Sequence, residues 1–456
     1  MSQKFWLVLV VSCWLAPANA SILTVGPSGV FATIQAAVDE ALVAPGTDEI
    51  RVEAGTFTEN LDITPAGTGN DLTITGGWNA AFDTRGGSPS IVDGDANDRV
   101  VNISLGTGDQ LVFENLKFQN GSSRLGAGML IVQDGGSVLR ISDCEVINNI
   151  AEDDRAEGGG LKVSVNEGST FSLLDSLIAD NQSVCTGTVD CREAGMGLQA
   201  DGGSVVVISR NVFINNSVTM TEGSAFSGGA SLSATESTHL TLEDNQFIGN
   251  SVTGTGNTVV GIGLALSGNG TKVARRNRVE ANVANTPTPA NMSQMSVFAY
   301  GDQTTTVSDT VVVDSDTKGI FVSTSGDDSP NVYITNLTVA DHASTGIQMN
   351  KNAVGGVLNL ANTIAVDNGT NTSLGAGVTS ANNLVSGSGG FVDAAGGDYS
   401  LLGSSLAVDA GSNSPPGGLG LTDISGNPRI SNGTVDLGAY ESPSDSFFSD
   451  GFETVF

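Results

Sequence analysis

The sequence predicts an all-β protein, a parallel β-helix, from three observations: a long-period repeat, the shortness of its strands and a recurring asparagine. Nine times between Leu111 and Asn368, alternating aliphatic residues are followed by a turn residue, by two or three apolar residues and in most copies by Asn. Self-similarity at a period of about 20–50 residues is typical of solenoid architectures. The turn residues, spaced 26 to 35 positions apart, are Asn115, Asp143, Asp175, Arg210, Asp244, Arg276, Asp309, Asn336 and Asn362.

Each copy also carries a second alternating run that begins at glycine, as in residues 160–163 and 197–200. Alternation with a period of two predicts strands, and the turn residues limit each strand to about four or five positions, so we expect three short strands per coil and no helix. Such a coil buries about six aliphatic side chains at ~1.5–3 kcal/mol each, whereas ordering roughly 30 residues costs ~1–2 kcal/mol per residue. Coils must therefore stack, at a spacing of about 4.8 Å.

Asparagine closes six copies, and it tolerates left-handed turns while its amide can form ladders along a stack. We therefore interpret these residues as structural: Asn149, Asn181, Asn216, Asn250, Asn282 and Asn368. The turn residues alternate in charge along the stack, which predicts a ladder of ion pairs between neighbouring coils. Its members are Asp175, Arg210, Asp244, Arg276 and Asp309.

In chain order, residues 1–20 read as a secretory signal peptide, with Lys4 at the start, an apolar stretch at 5–15 and small residues at 18–20. No other stretch approaches the ~18 apolar residues of a membrane span. Residues 21–48 are predicted to form an N-terminal cap that contains a helix over 31–42. One face of that helix would be apolar, with Ile34, Ala37, Val38, Ala41 and Leu42. The β-helix itself is predicted over 49–395.

The segment FATIQAAVDEAL at 31–42, followed by IRVEAGTFTENLDI at 50–63, resembles the opening of pectin-lyase-like β-helix proteins. That family includes pectate lyases, pectinesterases and polygalacturonases, together with many secreted proteins of no known activity. The resemblance implies a right-handed helix, and the general chirality of strand crossovers agrees with it. The resemblance is carried by repeat chemistry, so it implies a fold and not a reaction.

Three short segments near the C-terminus, 405–411, 423–429 and 435–441, are similar to the choice-of-anchor Q domain of bacterial surface and secreted β-helix proteins. Leu406 departs from that pattern, which usually has Pro there. We therefore predict a domain of this type over 396–441. The acidic, Phe-containing tail at 442–456 resembles a C-terminal tag of some Gram-negative secreted proteins, with a flexible acidic tail as the alternative. A secreted or cell-surface protein of a Gram-negative bacterium is expected.

The net charge is −31, and it becomes −32 once residues 1–20 are removed, because they contain Lys4 and no acid. Such a surface repels nucleic acid, anionic membranes and bare polyuronates, and it favours calcium or neutral partners. Calcium stays open, since it needs about six to eight converging oxygens and no D-x-D-x-D loop is present. No other cofactor is predicted, and the chain is expected to be a monomer.

The cysteines and histidines have structural interpretations. Cys185 and Cys191 enclose a short loop in a chain expected to be exported, which predicts a disulfide. Cys144 is left unpaired and is expected to be buried in the wall. Of the two histidines, His239 and His342, the second occupies the asparagine column, where a turn role is favoured over catalysis.

Catalytic motifs of the resembled family are not found. No His is flanked by glycines in the polygalacturonase manner, and Asp327 with Asp328 leads into a surface turn instead of the context that makes paired Asp residues act as acid and base. The pectinesterase segment DFIFG and the arginine and calcium-ligand motifs of pectate lyases are also missing. The sequence therefore favours a protein without catalytic activity.

A functional surface is nevertheless expected, because β-helices of the resembled kind bind glycans in a groove beside the Gly-led strand and the loop before it. Outward positions there and the charged loops supply the weak catalytic candidates, Lys162, Asp201, Asp153, Asp154 and Arg155. Gln199 and Arg192 are candidates for binding, and Arg192 lies in a charged loop with Asp190 and Glu193. Phe298, Tyr300 and Phe321 are either a sugar-stacking platform or core filling, and outward-facing rings would favour the platform.

Two functions are therefore compared. The first is a non-catalytic secreted or surface protein that binds glycan or other surface components. The second is a polysaccharide lyase or glycoside hydrolase acting on an extracellular polysaccharide. A catalytic site requires two or three titratable groups that converge on one bond in a cleft, whereas charges dispersed on a flat wall would exclude it.

Overall fold

The computed structural model describes residues 21–65, 67, 69–188, 190–254 and 259–442. Over these residues the chain winds into a right-handed parallel β-helix, which confirms the predicted fold class. The predicted signal peptide and tail residues 443–456 lie outside the described residues. Among the described residues, no helix has the length and apolarity needed to cross a membrane.

Three long parallel sheets form the walls, as predicted from three strands per coil. Sheet 1 contains Ser21–Val25, Thr47–Glu53, Asp71–Trp78, Gln110–Glu114, Val138–Ser142, Thr170–Leu174, Val205–Ser209, His239–Glu243, Thr271–Arg275, Thr304–Ser308, Asn331–Thr335, Val357–Ala361 and Val378–Ala381. Sheet 2 contains Thr56–Thr58, Ser90–Asp93, Leu116–Gln119, Glu145–Ile147, Leu177–Ala179, Val212–Ile214, Gln246–Ile248, Arg278–Glu280, Val311–Ser315, Thr338–His342 and Ile364–Val366. Sheet 3 contains Leu61–Ile63, Val101–Leu105, Met129–Gln133, Leu161–Val165, Met196–Ala200, Ala230–Ala234, Val259–Leu266, Ser293–Ala299, Lys318–Thr324, Thr345–Lys351 and Thr370–Leu374.

A fourth, shorter sheet was not expected from the sequence. Sheet 4 lies between sheets 2 and 3 in the middle coils and contains Ser122–Ser123, Ile150–Asp153, Gln182–Cys185, Ser217–Met220, Ser251–Thr253 and Val283–Asn285. Loops fold back over it and enclose a second apolar cluster that includes Val218, Met220 and Val252. The predicted disulfide between Cys185 and Cys191 is confirmed, and it is buried in this cluster.

The predicted register is confirmed by the turn column. Leu139 of sheet 1 pairs with Leu111 in the coil before it and with Phe171 in the coil after it. All nine predicted turn residues adopt left-handed backbone angles, with φ between 50° and 59°. This conformation costs most residues about 1–2 kcal/mol and is easiest for Asn and Asp, which explains why seven of the nine are one of the two.

The predicted asparagine ladder runs through five coils. The side-chain Nδ2 of each residue donates to the Oδ1 of the next at 2.9–3.0 Å, from Asn149 through Asn181, Asn216 and Asn250 to Asn282. The prediction was wrong about the turn itself, because the left-handed residue is the preceding one, such as Asn148, Asp180 or Asn215. Asn368 lies beyond this run, and it accepts from the backbone N–H of His342.

A second asparagine ladder, which was not predicted, is formed by residues that come directly after the turn residues in the chain. Asn211 donates to Asn245 at 3.0 Å, and Asn245 donates to Asn277 at 3.1 Å. Ser176 precedes them, and its hydroxyl accepts from the backbone N–H of Cys144. Cys144 is buried in the wall, as expected, and burial raises the pKa of its thiol to about 12.

The charge ladder forms only in part. Arg210 donates twice to Asp175, at 2.6 and 2.7 Å, and Arg276 donates twice to Asp244, at 2.7 and 2.9 Å. Asp309 was predicted to continue the ladder, but that was wrong. Its carboxylate is buried and forms its ion pair with Arg429 of the C-terminal segment, at 3.2 Å.

The α-helix spans Ile34–Ala41, shorter than the predicted 31–42, and caps the N-terminal end. It begins after Thr33, whose hydroxyl accepts from the backbone N–H of Ala36. Its apolar side chains are buried against the first coil. The carboxylate of Glu59 accepts from the first two helical N–H groups at 2.8 and 2.9 Å, where the positive end of the helix dipole favours an anion.

At the other end, residues 391–442, the C-terminal segment, fold back on the outer face of sheet 2. Tyr399 and Ala439 pack on Val311 and Val313, and Leu437 packs with Ile364 and Val366, two coils farther on. Short hydrogen-bonded elements organise the segment: the antiparallel pair Phe391–Asp393 with Asp398–Leu401 and a 3₁₀ turn at Ala394–Gly396. The last strands of sheet 2 are therefore covered on both faces.

Candidate functional site

The sequence predicts a glycan-binding groove at the outer face of sheet 3 and the loops leading into it, and we call this surface the groove. Outward side chains alternate with core residues on each strand, so Lys162 lies beside Gly197 of the next coil, and Ser164 lies beside Gln199. The groove holds two groups of side chains, a charged cluster at residues 157, 162 and 193 and an aromatic cleft farther along.

The charged cluster consists of Glu157, Lys162 and Glu193. The Nζ of Lys162 lies 2.7 Å from Oε2 of Glu157 and 3.4 Å from Oε2 of Glu193. The exposed fraction is 14% for the Lys162 side chain, 12% for that of Glu157 and 7% for that of Glu193. Lys162 and the Glu193 loop were predicted from sequence, but Glu157 was missed because no alternation marks a loop residue.

Glycine makes room for this cluster. A Cβ on Gly197 would come within 2.7 Å of Oε2 of Glu193, because that carboxylate lies directly on the outer face of the strand. Burial raises the pKa of Glu193, although Lys162 opposes it. Burial acts the same way on Glu157, but the hydrogen bond and charge of Lys162 outweigh it and lower the pKa of Glu157.

The other predicted catalytic candidates do not converge on Lys162. Arg155 contacts the outer oxygen of Glu157 at 3.0 Å. Asp153 ends a strand of sheet 4 and Asp154 follows it on the surface, and the Asp153 carboxylate accepts from the backbone N–H of Asp154. Asp201 follows the far end of its strand, four residues from Gly197 or about 13 Å along an extended chain. The grouping of Asp201 with Lys162 was therefore wrong.

The binding candidates Gln199 and Arg192 occupy different places. Gln199 is exposed on the outer face of sheet 3. Arg192 pairs with Asp190 at 3.2 Å, and its guanidinium carbon lies 5.3 Å from the ring centre of Phe226 on the next coil. Arg192 thereby connects the charged cluster to the aromatic cleft.

The aromatic cleft has a volume of about 370 Å³. Its lining residues are Phe226, Val259, Asn291, Ser293, Ser296, Phe298, Lys318 and Phe321. The rings of Phe298 and Phe321 are outward-facing and meet edge to face, with centres 5.6 Å apart. Tyr300 is 41% exposed and lies outside the residues that line the cleft.

Phe226, Asn291 and Lys318 were missed as cleft residues. Phe226 ends the two-residue strand Ala225–Phe226 and Asn291 ends the 3₁₀ turn Pro289–Asn291, and both elements are too short for alternation to be read. Lys318 precedes Gly319, the predicted start of its strand. From the strand of Lys162 to that of Lys318 the groove crosses five coil spacings, about 24 Å. Among the described residues, no three His, Cys, Asp or Glu side chains are arranged to hold a metal ion.

No protein-family model matches the sequence, and no curated protein matches it. Among solved structures, the chain is similar to the crystal structure of pectate lyase Pel9A, with a TM-score of 0.48 and 10% sequence identity. The match covers 93% of this chain and 97% of that chain. At this identity the likeness concerns the fold alone.

Proposed function

We propose that the protein binds an extracellular polysaccharide in the aromatic cleft without cleaving it. The observation that carries the proposal is the outward-facing pair Phe298 and Phe321 in a cleft whose other walls offer hydroxyl and amide groups. Aromatic rings supply apolar faces for the C–H faces of sugars, while Ser293 and Asn291 suit their hydroxyls. The groove beyond the cleft gives an extended chain a path along the coils.

The arrangement of the charged cluster supports binding over catalysis. Lys162 is engaged by two carboxylates, and all three side chains are largely buried. Catalytic groups must contact the substrate bond on which they act, whereas Lys162, Glu157 and Glu193 contact one another. The cluster stabilises the groove wall in this proposal and takes no part in chemistry.

A polysaccharide lyase or glycoside hydrolase is the second candidate, and one feature favours it. Glu157 and Glu193 contact the same Nζ, which places their oxygens within about 6 Å of each other. Retaining glycosidases use two carboxyl groups about 5–5.5 Å apart. The pKa of Glu193 is raised and that of Glu157 lowered, the direction of an acid and base pair.

The proposal places the protein outside the cell, as a secreted or surface-attached monomer of a Gram-negative bacterium. A signal peptide at 1–20 would direct export, and the Cys185–Cys191 disulfide fits an oxidising compartment. The segment over 396–441 would be of the choice-of-anchor Q type. Detection of the mature chain beginning at Ser21 in the culture medium or outer-membrane fraction would test this part of the proposal.

Binding can be tested by calorimetry of the mature protein against a panel of neutral and acidic oligosaccharides. The double variant Phe298→Ala, Phe321→Ala should lose at least tenfold in affinity, whereas Tyr300→Ala, an exposed aromatic residue outside the cleft, should retain the affinity. Equal loss in both variants would contradict the proposed site.

Product analysis separates the two functions. New reducing ends or unsaturated products, abolished by Glu193→Gln, would establish the enzyme and overturn the non-catalytic proposal. Binding with no products, with and without calcium, supports it.

A further inference from the structure

Lys318, unlike Lys162 and Arg192, has no anionic partner among the described residues. Lys162 is engaged by two carboxylates and Arg192 by Asp190. The Lys318 ammonium forms no ion pair or hydrogen bond with the described residues, and it lies 5.7 Å from the centre of the Phe321 ring. Burial lowers the pKa of Lys318. A partly desolvated ammonium without a counterion is an anion-binding group.

No carboxylate lines the cleft that holds Lys318. The chain has 49 Asp and Glu against 18 Lys and Arg, and four other clefts on its described surface each contain at least one carboxylate. Residues 255–258, next to Val259 in the chain, are Thr-Gly-Asn-Thr and contain no acid. The cleft therefore lacks the negative charge found elsewhere on the surface.

The groups beside Lys318 suit a sugar substituent. Ser293 precedes it by one coil, and the hydroxyls of Ser293 and Ser296 lie 2.6 Å apart. Asn291 is exposed on the rim. A carboxylate or sulfate at Lys318 could accept from the ammonium and a hydroxyl while its sugar ring contacts Phe298 and Phe321.

We propose that the cleft selects a glycan carrying an isolated anionic substituent, a carboxylate or a sulfate, which binds the Lys318 ammonium. This inference rests on the proposed glycan binding. One unpaired cation accepts one anion, and the net charge of −31 disfavours a polymer with an acid on every sugar. The ligand class is therefore a sparsely acidic heteropolysaccharide.

The test uses matched oligosaccharides on β-1,4-glucan, β-1,3-glucan and β-1,4-xylan backbones, each neutral, with one carboxylate or with one sulfate. The wild-type protein should bind at least one singly anionic form about tenfold more tightly than its neutral parent at low salt, and the ratio should shrink as salt rises. The carboxylate and sulfate arms identify the anion. Oligogalacturonate of equal length should bind more weakly than the singly charged form.

Lys318→Met should lower the affinity for the singly anionic form about tenfold and so remove its preference over the neutral parent, whereas Lys318→Arg should keep the preference. Lys351→Met, in the same sheet, is the matched control and should behave as wild type. Equal wild-type affinity for neutral and anionic forms, or an equal loss of both in Lys318→Met, overturns the inference while glycan binding stands. Absence of binding to every oligosaccharide overturns both.

Discussion

At the scale of single residues, His342 occupies the position that asparagine occupies in the ladder of earlier coils. Its backbone N–H donates to Asn368 Oδ1, and its Nε2 contacts the carbonyl oxygen of Val312 at 3.1 Å, as ladder amides contact carbonyls in earlier coils. Its Nδ1 is buried without a hydrogen bond among the described residues. Burial lowers the pKa of His342 from 6.5 to about 4, although the charge of Asp341 opposes the change.

This predicts acid sensitivity with a defined sign. The folded pKa lies below the unfolded value, so the unfolded chain binds more protons between pH 6.5 and about 4, and stability falls as the pH falls through that window. The loss should be on the order of 3 kcal/mol. His342→Asn, which restores the ladder residue, should remove it. Urea unfolding of both proteins at pH 7 and pH 4 checks this, and a pH-independent difference between them would contradict it.

Asn216 is a second test at this scale. It accepts from the backbone and side chain of Asn181 and donates to Asn250 and to the carbonyl of Ile178, all in the buried ladder. Asn216→Ala leaves buried donors unpaired, at ~1–3 kcal/mol for each group, so we expect a loss of about 3 kcal/mol. Asn285→Ala, at an exposed asparagine, should change the free energy of unfolding by less than about 0.5 kcal/mol. Comparable losses would show that the ladder contributes little.

At the scale of elements, the sequence predicts what is local. Alternation identified the strands of sheets 1 and 3 and the outward positions of Lys162, Phe298 and Phe321, because side-chain direction follows from the period of a strand. The strands of sheet 4 have only two to four residues, too few for alternation to be read. Glu157 lies in a loop and Phe226 in a two-residue strand, and the position of both depends on where the chain folds back.

The sequence of the strand Val311–Ser315 indicates burial on both faces. Its first three residues are valines, and an apolar run without alternation is typical of a strand buried on both faces. In earlier coils, Ile214 and Glu280 occupy the outward position that Val313 occupies in this strand, and both are half-buried. The C-terminal segment does not cover the sheet at Ile214. The run therefore indicates the docking surface of the C-terminal segment.

Matched asparagine substitutions in that column test the docking surface. Val313→Asn places an amide between sheet 2 and the C-terminal segment, where loss of apolar burial and an unpaired polar group should together cost about 3 kcal/mol. Ile214→Asn, in an uncovered coil, should cost less than about 1 kcal/mol. Urea unfolding supplies both values, and limited proteolysis should show faster cleavage within 391–442 in Val313→Asn only. Equal costs would mean that the segment is not packed as described.

At the scale of the whole molecule, stability depends on neighbouring coils and on how the stack ends. The helix covers the first coil, while the C-terminal segment is tied to the side of the stack through Arg429. Its side chain is 1% exposed and lies 3.2 Å from Asp309 and 3.7 Å from Glu441. Asp423 and Asp436 accept from backbone N–H groups of the same segment. The segments singled out at 423–429 and 435–441 thus form one buried polar network.

The sequence indicated that these C-terminal segments belong together but not what they contact. Asp309 lies 120 positions before Arg429, and its place in the alternating turn column made an ion pair with Arg276 the simplest expectation. Local pattern cannot predict which of two cations a carboxylate selects when the second arrives from a distant part of the chain. Only the folded packing of the C-terminal segment decides it.

Removal of Arg429 should therefore release the segment before the stack unfolds. In Arg429→Met, the carboxylates of Asp309 and Glu441 lose their buried counter-charge, and breaking such a pair by deleting one partner costs about 3–5 kcal/mol. The expected result is an early unfolding transition in urea, with cleavage confined to 391–442, followed by the transition of the remaining coils. Adding Asp309→Asn should recover part of the loss, because one unpaired carboxylate is then gone. If both variants unfold in a single transition at the wild-type midpoint, the ion pair does not hold the C-terminal segment to the stack of β-helix coils.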